Sequence, residues 1–457
     1  MNDFKVGFST VKTEVPLGIG INGYYVPRHV KGSLDDITVT ALALYAGGNT
    51  ALMLSIDVCM VERENYDEIT AAISTLTGIA RDNIFVAATH SHTAPFIYPR
   101  GTFDAEPGII REYAREVVAR ACEAAIAALS DMSDAKMGYA IGRAPDRIAY
   151  IRRYRMKDGS TCTCPPINDP NIDSPIGELD QRVNVLRFDR DGKASVVLLN
   201  YGLHVDCIGG EYASSDWVGV LKRTLRASLD AECIVFCGAQ GDVGSTNVHP
   251  MPGDMNDTEI SFDNEMKSPG MARFIGRALA GTVLQVYDKV AYADVDSLDV
   301  IHHELRAPTN MPAPEDMALA REYVRLHEEG RDDLIPYSAM ELTTVVAEAI
   351  RMCELENGPE YIPLDITGLR IGGVALVGIP GEPFTEVGVE IKKSEGFELI
   401  LPTALMNDYR GYFPMRSAFD EGGYEARTSR YKGGVAELVI EEGKAVLREL
   451  AERRGKA

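Results

Sequence analysis

An α/β fold, with mixed sheets layered against helices, is predicted by two observations: hydrophobic periods that alternate along the whole chain, and polar motifs that follow the apolar runs. Short apolar, β-branched runs read as strands: Ile37–Tyr45, Ala51–Asp57, Asn83–Ala88, Val183–Phe188, Ser195–Tyr201, Cys233–Cys237, Val374–Ile379 and Leu399–Leu401. Between them, apolar residues recur at three-to-four spacing over Tyr66–Leu76, Ile110–Leu129, Val218–Leu229, Met271–Tyr287, Asp316–Glu328 and Gly434–Arg453, which read as helices. Alternation of this kind is the pattern of layered α/β proteins. Pro-, Asp- and Thr-rich Asp158–Glu178, and Pro250–Pro269, read as surface loops. Residues 307–357 read as a helical insertion into what is otherwise one domain spanning residues 1–457. His302 and His303 fall in an alternating strand pattern and are given no role.

The second observation locates a candidate site. Thr89-His90-Ser91-His92, Asn200-Tyr201-Gly202-Leu203-His204, Gly238-Ala239-Gln240-Gly241-Asp242-Val243 and Gly378-Ile379-Pro380-Gly381-Glu382 each stand at the end of an expected strand. In open α/β sheets, ligands collect at the carboxyl ends of strands, where loops from several strands meet. His90 and His92, two apart in an extended segment, are expected to face the same side. They form either a metal-binding pair, since imidazole is a good zinc ligand near neutral pH, or a hydrogen-bonded structural pair. His204 and Glu382 are ordinary singly, the second a natural cap for a helix from Phe384. At four strand ends together they make a mixed nitrogen and oxygen ligand set of the kind zinc prefers.

Composition narrows the partners. Against 68 acidic residues stand 46 basic ones, a formal net charge of -22, so neither nucleic acid nor an anionic membrane is an expected partner. No basic stretch precedes an apolar run at the N-terminus, and no segment is long enough to cross a bilayer. The 8 cysteines are scattered, several inside apolar runs, which suggests neither a disulfide framework nor a four-cysteine zinc site. A cytoplasmic location and a small-molecule substrate are expected, with a homo-oligomer compatible with both.

These motifs resemble the catalytic domain of the neutral, non-lysosomal ceramidases, a family of zinc amidases. The resemblance runs loosely from Phe8 to Tyr431 and rests on Thr89-His90-Ser91-His92-Thr93-Ala94-Pro95, His204 with Ser215-Asp216, Pro380-Gly381-Glu382, and Asn407-Asp408-Tyr409-Arg410-Gly411-Tyr412 followed by Tyr424-Glu425. It implies zinc held by His90, His204, Glu382 and Tyr412, with Tyr409 the alternative tyrosine. Two departures stand out. The family's Gly-Asp-Val-Ser-Pro-Asn, with its catalytic serine, reads Gly241-Asp242-Val243-Gly244-Ser245-Thr246-Asn247 here, so glycine takes the serine position and Ser245 comes one place late. The chain also ends in a helix, without the family's C-terminal β-sandwich. Both weigh against ceramide more than against zinc hydrolysis.

The expected function is therefore zinc-dependent cleavage of an amide of a small polar substrate by metal-activated water. His92 would be the proton shuttle, and Tyr424, the Gly241–Ser245 loop or Arg152 would stabilise the oxyanion. Arg152 and Arg153 either enter the pocket or lie on a solvated strand edge. Asp57 and Asp216 are candidates to orient the histidines, while Tyr24, Tyr25 and Arg28 either line the pocket or form a surface loop, the reading favoured for them. An ester or lactone hydrolase with the same zinc site, and a non-catalytic metal-binding protein, are the alternatives. A metal-free hydrolase using Ser245 lacks the G-x-S-x-G context of a nucleophile elbow.

Overall fold

Buried apolar strands set the architecture, and all of those read from the sequence are present within a residue or a few at each end. The protein is described here from a computed structural model covering residues 3–99, 107–251, 253–254 and 267–454. Its largest sheet runs, in spatial order, Glu232–Cys237, Val196–Tyr201, Arg182–Arg190, Ser133–Arg143, Lys5–Lys12, Thr38–Ala46, Asn49–Ile56 and Ile84–Ala88, with Ala291–Ala293 added beside Ser133–Arg143. Neighbours are antiparallel except at the two ends, where Val196–Tyr201 pairs parallel with Glu232–Cys237, and Asn49–Ile56 with Ile84–Ala88. Those parallel strands are almost wholly buried, which is why they read as unbroken apolar runs.

A second sheet has the order Leu298–Pro308, Tyr361–Ile371, Val374–Gly378 and Leu399–Thr403, its last pair parallel. One core is shared by both sheets and contains Phe4, Phe85, Phe188, Phe236, Leu376 and Leu401. Helices Arg63–Thr77 and Pro107–Ser130 cover one end of the large sheet. Asp216–Leu229 and Pro269–Tyr287 cover the other, and Val435–Arg454 covers the second sheet. Local signals match these boundaries. Gly78, at φ 76°, ends the first helix. Ser268 caps Pro269–Tyr287 by accepting from Met271 N at 3.1 Å, with Pro269 in the first turn.

Two strand ends that lie at opposite edges of the large sheet are brought together by the second sheet. Beyond Leu399–Thr403, Ala404 N donates to Cys237 O at 2.9 Å, at one edge. Asn407 N donates to Val86 O at 2.7 Å and its Oδ1 accepts from Val86 N at 2.9 Å, at the other. Ser55 Oγ also donates to Val235 O at 2.7 Å. The large sheet therefore curls until its parallel ends meet around one loop.

One expectation changes. Asp158–Glu178 is not a plain loop: Thr161–Thr163 and Ile172–Pro175 flank Arg153–Met156 in a small antiparallel sheet, too short and too rich in proline and aspartate to show alternation. Most of Pro250–Pro269 lies outside the described residues, apart from its end, which starts a helix. Within residues 307–357, helices Met317–Glu328 and Ala339–Leu355 lie between the strands Leu298–Pro308 and Tyr361–Ile371. All eight cysteines are free. Among the described residues, no helix is long and apolar enough to cross a membrane.

His303 does acquire a structural role. Its Nδ1 and Nε2 lie 2.7 Å from Glu442 and 3.0 Å from Glu449 on the C-terminal helix. Burial disfavours its charge, but the two carboxylates outweigh this and raise its pKa. A group raised on folding stabilises fully below its unfolded value of about 6.5, and that contribution fades as pH rises through the folded value. The Tm difference between wild type and His303→Gln is expected to be largest near pH 6 and to close on raising the pH, as measured by thermal melts across pH 6–9.

Candidate metal centre

Each candidate ligand is set by backbone bonds at a strand end. After Ile84–Ala88, Thr89 N donates to Ile56 O and His90 N to Val58 O, both at 2.9 Å. His90 takes φ 72°, a left-handed conformation unusual for a residue other than glycine. His90 and His92 are thus not two positions of one extended segment. Their rings meet because the chain turns at His90 and is then held by His92 N donating to Val205 O at 3.0 Å. Their rings stand at 89°, with the two Nε2 atoms 3.3 Å apart.

The tautomers follow from the partners. His90 Nδ1 lies 2.7 Å from Cys59 O and His204 Nδ1 2.8 Å from Gln240 O, so each Nδ1 carries the hydrogen and donates to a carbonyl. Both Nε2 atoms then point at one carboxylate oxygen: His90 Nε2 and His204 Nε2 are each 3.1 Å from Glu382 Oε2. All three residues are at most 2% exposed. Three convergent acceptors, sealed from water, call for a cation among them. Four donors about 2.0–2.2 Å from a tetrahedral zinc would lie roughly 3.3–3.6 Å apart, close to the spacing found. The residues present therefore fit a zinc ion. A proton on His90 can serve the same purpose. Burial disfavours it, but the Glu382 carboxylate overrides burial and holds the His90 pKa well above, and that of Glu382 well below, the ordinary range. Burial and Arg152 push His204 down to about 4, leaving it neutral.

Around these ligands lies a second ring of groups. Tyr409 OH donates to Glu382 Oε1 at 3.0 Å and so orients the carboxylate. Tyr412 is the register partner of Glu382 in a short parallel pairing, and its OH accepts from Arg152 Nη2 at 3.0 Å. Arg152 Nη1 is 3.1 Å from His204 Nε2, and Arg152 Nε donates to the buried Glu425 at 2.7 Å. Of the two arginines, Arg152 enters the site; Arg153 pairs with Glu421 at 3.1 Å instead. Tyr424 packs edge-on against Tyr412 with ring centroids 5.7 Å apart, and burial raises the pKa of both phenols. Ser245 and Gly244 line the same cavity as His204 and Arg152. The Ser245 hydroxyl is hydrogen-bonded to the Cys207 thiol. A side chain at 244 would meet Arg152 Cβ at 3.7 Å, an ordinary contact, so glycine there leaves space open beside the guanidinium.

Among solved structures, the chain is similar to the crystal structure of neutral ceramidase from Pseudomonas aeruginosa, with a TM-score of 0.74 over 99% of this chain and 75% of that one. A ceramidase complexed with C2 aligns with a TM-score of 0.72 over 99% and 76%. The fold is that of the neutral ceramidases. Sequence identity is 15% in both cases, so the likeness extends to the ceramidase fold and not by itself to substrate. No family model and no curated protein matches the sequence.

Several residues take places other than those expected on this ceramidase-like frame. Asp57 does not orient a histidine: it accepts from Thr38 and pairs with Lys222 at 3.3 Å. Asp216 accepts from the backbone of Cys207, Ile208 and Trp217, fixing the turn into its helix. Backbone carbonyls do the orienting instead. Tyr24 and Arg28 are not a surface loop. Arg28 donates to the His92 carbonyl at 2.8 Å, and Tyr24 OH donates to Asp206 at 2.5 Å. Asp206 Oδ2 is 3.8 Å from His92 Nδ1 and 2.9 Å from Lys267. Asp206 and Lys267 were not singled out in the sequence, and Glu425 stood there only within the Tyr424-Glu425 motif, with no role given. H-V-D after a strand was the available signal for Asp206.

Gly23 sets the His92 ring. At φ 108°, an added Cβ would lie 2.7 Å from His92 Cγ and Nδ1. Gly23→Ala is expected to destabilise by about 1–3 kcal/mol through backbone strain and overpacking. It should also lower kcat by displacing His92, measured by denaturant unfolding and turnover together.

Proposed function

We propose that this protein is a zinc-dependent hydrolase that cleaves the amide bond of a small polar substrate. The observation carrying this reading is the convergence of His90 Nε2, His204 Nε2 and Glu382 Oε2, all buried, beside a cavity that His204 and Arg152 also line. Tyr412 is assigned the fourth ligand position, because it neighbours Glu382 in register and reaches His204 through the Arg152 fork. Zinc bound there would supply Lewis-acid polarisation of the carbonyl and an acidified water.

The protein's own groups supply the rest. Burial, together with the two neighbouring histidines and Lys267, outweighs Asp206 and keeps the pKa of His92 well below the ordinary value. His92 is therefore unprotonated at rest and free to accept a proton at Nε2. It can then hand that proton to the leaving nitrogen, which amide cleavage requires beyond attack. Arg152, charged and locked by Glu425, faces the cavity as a fixed dipole for a developing oxyanion. Tyr424 packs edge-on against Tyr412 beside it. Ser245, hydrogen-bonded to Cys207 at the cavity, is given no nucleophilic role in this reading.

An adjoining cavity favours a catalytic over a purely structural metal centre, since structural zinc sites are closed by four protein ligands. The test is turnover of N-acetyl amides and matched acetate esters by zinc-reconstituted protein. Amide hydrolysis that is lost with chelator and restored by zinc is expected. Turnover of esters alone would move the assignment to an esterase. A zinc-loaded protein that turns over neither would be a metal-binding protein.

A further inference from the structure

Beside the candidate metal centre the cavity carries an ion pair that the proposed chemistry uses only through its effect on His92. Asp206 and Lys267 line it together with His204, Arg152 and Ser245, and it has a volume of about 50 Å³. The pair is largely buried: side-chain exposure is 18% for Asp206 and 9% for Lys267, with Nζ 2.9 Å from Oδ2. Tyr24 completes it, donating to Asp206 Oδ1 at 2.5 Å, accepting from Lys267, and lying with its ring 4.5 Å from Nζ. Arg28 lies over that ring at 3.9 Å.

Charges held this deep and facing a cavity decide what can fill it. An alkyl chain sliding over Asp206 and Lys267 would strip their remaining water and return no hydrogen bond. A purely anionic group meets Asp206, and a purely cationic group meets Lys267 and Arg152. A hydroxyl avoids both conflicts, because it accepts from an ammonium or guanidinium and donates to a carboxylate. Vicinal hydroxyls satisfy both members of the pair at once. Gly244 and Val248 leave apolar surface for the carbon skeleton that carries them.

We propose that Lys267 and Asp206 are specificity-determining residues, and that the substrate places a short polyhydroxylated group, not an alkyl chain, against them. This rests on the amide-hydrolase reading above and names its substrate class.

Two isosteric probes test it: N-(2,3-dihydroxypropyl)acetamide, and N-(2-methylbutyl)acetamide, in which methyls replace both hydroxyls. Zinc-loaded wild type and Lys267→Met would be compared by the ratio of kcat/KM for the two probes, and by the ratio of their Kd values from ligand-observed NMR. Wild type is expected to prefer the diol by roughly 10- to 100-fold, the effect of stripping water from buried polar groups without returning a hydrogen bond. Lys267→Met should lose most of that preference. A merely structural role for Lys267 would lower both probes equally and leave the ratio unchanged, which would overturn the proposal. So would wild type preferring the alkyl probe. If neither probe is hydrolysed, the hydrolase reading fails on its own. The Kd ratio then still decides: a diol preference that Lys267→Met removes supports the site, and equal or absent binding of the two probes overturns it.

Discussion

Glu382→Ala is expected to remove the metal and the activity together. Glu382 Oε2 faces both His90 Nε2 and His204 Nε2, each at 3.1 Å, and among the described residues it is the carboxylate grouped with these two histidines. Without it, two neutral imidazoles would confront a divalent cation in a buried site with no anion to balance it. Outer partners of metal sites cost roughly 10- to 100-fold in affinity when removed, and loss of an inner carboxylate should exceed that clearly. Dialysed Glu382→Ala should therefore contain far less than one zinc per chain and show no turnover above background. The fold should survive, because Glu382 lies at the end of a strand whose apolar residues remain packed. A variant retaining full zinc would show that the ligand set is wrong.

His92→Ala carries the second large effect, and its signature is the opposite one: zinc stays and turnover falls. His92 Nε2 is 3.3 Å from His90 Nε2, and Nδ1 faces Asp206 at 3.8 Å. The ring is thus held at the metal centre without being needed to complete it. Loss of a positioned proton-transfer group lowers rates by about 10²–10⁴-fold. The loss should fall on kcat with KM nearly unchanged, since the group acts in the transition state. Steady-state kinetics with parallel metal analysis would check both parts. A simultaneous loss of zinc would make His92 a ligand.

Much of this was legible because the site hangs on buried strands. Ile84–Ala88, Val196–Tyr201 and Val374–Gly378 are nearly all apolar, so their ends, and with them His90, His204 and Glu382, stood out in the sequence. What could not be read is how they meet. That depends on Asn407 and Ala404 joining opposite edges of the large sheet, pairings between residues separated by much of the chain. Ser133–Arg143 was missed for a packing reason. Its Gly138 and Gly142 look like breakers, yet a Cβ there would come within 2.5 Å of Val290 and Thr282, so they admit close contact rather than a turn.

The polar surroundings were read less well, because a carboxylate near a histidine in sequence has several uses. Asp57 and Asp216 serve a lysine and a helix start, while two carbonyls orient the ligands. Arg152 and Arg153 are adjacent, yet the first, between the short strands Tyr150–Ile151 and Arg153–Met156, enters the site and the second pairs with Glu421. Lys267, Asp206 and Tyr24 come from three distant segments, so no local pattern could unite them.

Metal content tests the central claim most directly: elemental analysis of wild type and His90→Ala, purified side by side without chelator. The account expects about one zinc per chain in wild type, and its loss in the variant. Wild-type protein that holds no metal, and whose thermal stability is indifferent to both chelator and added zinc, would contradict it.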